Sequence, residues 1–249
     1  MKNLQVRYSI RLIKKKRKKI LRIVYKFITN PKVVFGSISV GLFLLFGGIL
    51  IDYIVAFLTQ GYNIVRDYIS DLGSIKYSPL PYLFNDCLML AVIFFLPLVF
   101  YAQRRFGLFP LHYERLSKEP RKRISFSVSG FIFAVIKFVG VFGVGLFPEG
   151  NVFHGIFASL AFGGFIASGV CYGIFAFFFP TSIPRALGIY LFSIPLFISI
   201  LYFLNIPPSK QFYEWLLFLS ILGWLLPCSF ILLKQLEREI RIPSNNAQR

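Results

Sequence analysis

The chain has 249 residues, of which 56% are hydrophobic, 18% aromatic and only 15% charged. Soluble domains are about a quarter charged, so an ordinary soluble fold is excluded. The 28 Lys and Arg against 10 Asp and Glu leave a net charge of +18, a balance that would suggest nucleic acid if the basic residues formed a patch interleaved with aromatics. They flank long uncharged runs instead, so no nucleic-acid partner is expected. Those runs are how a bilayer-embedded chain reads.

Residues 1–32 carry twelve Lys and Arg and no acid. Lys14 to Lys19 are all basic, and Ile10, Ile13, Ile20, Val24, Phe27 and Ile28 surround them at roughly helical spacing. A topology signal accounts for these charges. A second reading is a basic amphipathic helix on anionic lipid, where each basic residue contributes about 1 kcal/mol of attraction. Six spans follow, at about 33–58, 82–101, 124–147, 152–179, 186–204 and 213–233, each near the ~20 helical residues that cross a bilayer. Asp86 interrupts the second span and Lys137 the third. The first run is too long for a signal peptide and lacks a cleavage site, so an uncleaved first span is expected.

The expected fold is therefore all-α: a polytopic bundle of six transmembrane helices over 33–234, with tails at 1–32 and 235–249. The loop over 102–123 carries seven basic residues, and Arg185, Lys234, Arg238, Arg241 and Arg249 fall on the same side as the basic N-terminal segment. Only Arg66, Lys76 and Lys210 lie opposite. The positive-inside rule places the rich side, and both termini, in the cytoplasm of a cell-membrane protein.

Unusual residues collect on the outer side. In Tyr62–Gly73, Ile64, Val65, Tyr68, Ile69 and Leu72 have helical spacing and Arg66, Asp67, Ser70 and Asp71 oppose them. Asn63 suits an N-cap and Gly73 the position after the last turn. This predicts a short amphipathic interfacial helix. A tight turn then leads to His154, with Asn151 as the cap of the fourth span and Glu149 nearby. A helix N-terminus disfavours a cationic imidazole, whereas Glu149 favours it.

Gly155, Ser159, Gly163 and Ala167 recur every four residues and predict a close-packing face toward Gly140, Gly143 and Gly145. Lys137 lies roughly 15 Å below the outer end of its span at 1.5 Å per residue, so it should face the bundle interior and pair with Asp52 first or Asp86, or else be neutral; the alternative is that it snorkels along the bundle surface. Cys87, Cys171 and Cys228 sit in apolar runs without CxxC spacing, which argues against a disulfide frame or a zinc site. No metal or cofactor is expected.

The stretches Ile69–Gly73, Tyr82–Asn85 and Gly143–Glu149, followed by His154, resemble a six-span family of unknown function, domain-of-unknown-function family 998, over residues from about 36 to 179. A weaker similarity is to the eukaryotic six-span group that includes autophagy modulators. The resemblance implies a six-helix bundle with Ser70, Asp71, Asn85, Glu149 and His154 as recurrent polar positions, and no established reaction.

Three functional classes follow. The favoured one is a non-catalytic lipid-binding, sensing or partner-binding membrane protein, with membrane lipids as partners and anionic lipids at the basic tail. A second is a lipid hydrolase or transferase using Ser70, Asp71, His154 and Glu149, although no GxSxG elbow accompanies them. The third is a transporter of a small solute or ion, for which Lys137 is the one deep charge and no internal repeat is visible.

Overall fold

A computed structural model describes residues 19–105, 121–181 and 183–241, and all regular structure among them is helical. Residues 19–28 are helical. Six long helices follow: α1 (Pro31–Gln60), α2 (Pro81–Arg105), α3 (Arg121–Leu146), α4 (His154–Phe178), α5 (Arg185–Phe203) and α6 (Lys210–Arg241). All six are long and apolar enough to cross a membrane. Their outward faces carry bare apolar side chains, Phe43 at 76% exposure and Phe203 at 76% among them, which only lipid would cover.

Local chemistry sets the helix ends. Asn30 starts α1 by accepting a 3.0 Å hydrogen bond from the Lys32 amide, with Pro31 in the first turn, where its missing N–H costs nothing. Gly61 ends the helix at φ +64°, a left-handed conformation that favours glycine. Asn151 accepts from the Phe153 amide at 3.0 Å just ahead of α4. Pro97, Pro195 and Pro227 lie inside helices, as membrane helices allow.

The helices pack as a closed ring in chain order. Each lies against its two neighbours, and α6 returns to α1. The tightest seam is α3 on α4, where Gly140 meets the backbone at Leu160–Ala161 and Gly164 meets the backbone of Lys137. The expected small-residue stripe is displaced from this seam. A Cβ added at Gly155 or Gly163 would meet nothing within 4 Å, whereas Ala161, Gly164 and Ser168 are buried. Gly169 and Gly173 instead admit the backbone of α5 at Leu191 and Gly188.

One end of the ring carries the 61–80 loop and the turns before α4 and α6; this is the plugged end. The interfacial helix expected over 63–73 is shorter. The Asn63 carbonyl accepts the Arg66 and Asp67 amides in a single turn, and only Ile69–Gly73 forms a 3-10 helix. The difference has a physical cause. Asp67 and Asp71, expected on a polar face toward water or a vestibule of the bundle, are 5% and 4% exposed and spend their oxygens on nearby amides, which breaks regular helical bonding.

Candidate functional site

The 61–80 loop lies over the ring because side chains from three helices hold it there. On α1, Asp52 accepts a hydrogen bond from Ser78 Oγ. On α2, Asn85 Nδ2 donates to the Gly73 carbonyl at 2.9 Å. On α6, Trp215 Nε1 donates to the Asp67 carbonyl at 3.2 Å and Glu214 Oε1 accepts from the Ser70 amide at 3.4 Å. Ser209, just ahead of α6, donates to the Val65 carbonyl at 2.5 Å. Within the loop the Tyr62 hydroxyl donates to the Tyr68 carbonyl. The rings of Tyr53, Tyr62 and Trp215 meet edge to face with centroids 5.6–6.1 Å apart, beside the buried Trp215–Asp67 bond. Gly73 has no room for a side chain, because a Cβ would run into the Asn85 amide.

The Asp71 side chain is tucked beneath this loop. Its carboxylate accepts the Tyr68 amide at 2.8 Å. Burial pushes the carboxyl up to about 6; the Tyr68 amide opposes the shift, and the charges of Glu149 and Asp67 add to it. The Asp71 and Glu149 charges are therefore in electrostatic reach, with Glu214 also near Tyr68. Asp67 is bound by Arg66 at 3.1 Å, but that guanidinium is largely exposed, so the pair contributes little.

His154 is buried at the start of α4. Its Nδ1 lies 2.8 Å from the Phe147 carbonyl and its Nε2 3.0 Å from a Glu149 oxygen. A carbonyl can only accept, so Nδ1 is the donor to Phe147, and Nε2 faces the Glu149 carboxylate. The pair clamps the turn between α3 and α4. Ser70 instead points its polar groups at Glu214. The structure thus draws Ser70, Asp71, Glu149 and His154 to one end of the ring without a hydrogen bond between Ser70 and His154.

Behind the loop, a cavity of about 240 Å³ occupies the centre of the ring. Ile69, Ser70 and Glu214 line its plugged end, Lys137, Phe138 and Phe165 its middle, and Trp224, Ser229 and Gln235 its far half. Ser168, Gly169 and Cys228 also line it, and the rest of the wall is aliphatic or aromatic. A smaller cavity of about 200 Å³ lies along the α1–α6 seam and shares Leu45, Ile49 and Phe218 with the central one.

Lys137 faces this cavity, but the expected ion pair is absent. Asp52 is on α1, which does not neighbour α3 in the ring, and its carboxylate is engaged by Ser78. Asp86 is exposed on the outward face of α2. The ammonium instead stands 4.9 Å from the Phe138 ring centre and 5.7 Å from that of Phe165. Each such contact gives ~0.5–2 kcal/mol, against an insertion cost of at least ~2.5–3.5 kcal/mol for a charge at this depth. The aromatic faces offset part of that cost. Glu214 and the two tryptophans are the participants the sequence did not single out. The available signal was an acid near the start of the last span, followed at once by a tryptophan.

A family model described as a protein of unknown function, DUF998, matches residues 38–228. Comparisons with curated proteins and with solved structures give no match.

Proposed function

The chain belongs to the DUF998 family, and from that premise we propose that it is a non-catalytic lipid-binding protein of the cell membrane, holding a lipid within its helix ring. The central cavity carries this reading. It is walled almost wholly by apolar side chains, closed at one end by the 61–80 loop, and ringed by helices long and apolar enough to cross a membrane. Apolar pockets with few, placed polar groups suit such ligands. The hydrolase reading receives less support, since both ring nitrogens of His154 are engaged at Phe147 and Glu149, leaving no base for Ser70.

The charge distribution supports tails at 1–32 and 235–249 in the cytoplasm. The first of these is read as engaging anionic lipid; its lysine run at 14–18 lies outside the described residues, and Lys19 is exposed. The cavity reading is tested with a lipid bearing a photoactivatable group in its acyl chain, cross-linked in native membranes and mapped by peptide mass. Adducts are expected on cavity residues such as Leu88, Phe165 and Phe218. Adducts confined to the outward belt, at residues such as Phe43 and Ile132, would overturn it.

A further inference from the structure

We propose that the cavity selects an acidic single-chain amphiphile, a fatty-acid-type carboxylate, and that Lys137 and Trp224 hold its head. The inference rests on the lipid-cavity reading and adds the ligand's charge. It begins from an asymmetry between the two charged groups that line the cavity. Glu214 is already hydrogen-bonded, to the Ser70 amide. Lys137 has only ring faces around its ammonium. The cavity therefore has its negative group engaged and its positive group without a counter-ion among the described residues.

The polar atoms farther in repeat the pattern. Trp224 Nε1 and Ser229 Oγ are buried, line the cavity and have no hydrogen-bond partner, and Ser229 is only 1% exposed. An indole N–H can only donate and an ammonium can only donate. An acceptor brought by a ligand would satisfy both, which water held by an apolar wall does less well.

Levels along the ring bring Lys137 and Trp224 together. The Lys137 backbone abuts Gly164, Gly169 abuts Leu191, and the neighbouring Tyr190 hydroxyl lies at Gly223, beside Trp224. Trp224 is thus about five helical residues, roughly 7.5 Å, from Lys137 along the ring axis. Helical side chains lean toward their own N-terminus. On α3 that lean carries the lysine away from the plugged end, and on antiparallel α6 it carries the tryptophan toward it. Ammonium and indole thus face the cavity at one level from α3 and α6, which stand across the ring from each other, so that a head group between them is reached from both sides. The wall on the plugged side of that level, at Leu88, Val141, Val144 and Phe218, takes the alkyl chain.

The test uses full-length protein in neutral detergent, with palmitate and hexadecanol as probes of the same chain length and different head charge. Palmitate should bind about 10- to 100-fold more tightly, the range of a charge-assisted hydrogen bond. Lys137→Met should abolish the preference while hexadecanol binding persists, Lys137→Arg should restore most of it, and Trp224→Phe should reduce it. Equal binding of the two probes to the unsubstituted protein overturns the assignment of charge and leaves the lipid cavity standing; this comparison needs no variant to fold. Binding of neither probe overturns both readings. Displacement of palmitate by millimolar acetate would assign the site to a free anion and overturn the amphiphile.

Discussion

Asp71 is a carboxyl group under a loop, with acids as neighbours and a single amide as its partner. Its pKa is raised from the ordinary 3.8 to about 6. The folded protein therefore binds more protons than the unfolded chain between about pH 4 and 6, so Asp71 favours folding fully below pH 4 and that contribution is lost as pH rises through 6. The charged neighbours are Glu149, Asp67, Glu214 and Lys76. Asp71→Asn keeps an acceptor for the Tyr68 amide and removes the titration. The expected outcome is a variant more stable than the parent at pH 7.5, by up to about 3 kcal/mol at 1.36 kcal/mol per pKa unit, with the gap closing at pH 4. Thermal unfolding in detergent at the two values measures it, and a gap independent of pH would refute the assignment. Asp71 was visible in the sequence as an acid among apolar residues. Its burial was not, because helical spacing put it on a polar face toward water or a vestibule of the bundle, and the acceptors that the loop's amides require outweighed that spacing.

At the scale of the helix, the α3–α4 seam shows how a small-residue pattern misleads by one register. Gly155, Ser159, Gly163 and Ala167 do share a face, but that face points away from the ring, and the close approach runs along Ala161 and Gly164. The two faces adjoin on the helix, and only the partner's glycines decide between them. A methyl added at Gly140 would come within 2.7 Å of Ala161 Cα and the Leu160 carbonyl carbon, whereas one at Gly163 meets nothing within 4 Å. Gly140→Ala should destabilise by about 1–3 kcal/mol through overpacking. Gly163→Ala should be neutral or stabilising by up to ~1 kcal/mol through helix propensity. Paired unfolding curves decide this, and equal effects would remove the seam. The basic segment makes a separate prediction. A peptide of residues 1–30 should bind anionic vesicles, weaken steeply with salt and ignore neutral ones. Equal binding to neutral vesicles would show that apolar insertion dominates.

The spans were legible because apolar length is a local property of the chain. The ring was not, since its closure depends on α6 meeting α1, and no pattern within either helix encodes that meeting. The cavity follows from closure: six helices arranged around a circle leave an axis that their side chains do not fill. An even number of helices lets every neighbour run antiparallel, including the closing pair, and sets Pro31 and Arg241 at the same end, opposite the 61–80 loop. Charge then orients the ring. Arg121, Lys122, Arg123 and Arg185 begin helices at the end shared with Pro31, and the plugged end holds only Arg66, Lys76 and Lys210. The bias predicts that the plug faces outward, where loop 61–80 meets the cell exterior and the cavity's far half meets the cytoplasmic leaflet. With Cys87, Cys171 and Cys228 replaced by Ala, single cysteines at Ile75 and Val152, which are 80% and 90% exposed, should react with an impermeant maleimide in intact cells. Cysteines at Lys26 and Arg238, both exposed at the other end, should react only after the membrane is opened. Labelling of the second pair in intact cells, with protection of the first, would invert the ring and place the plug in the cytoplasm.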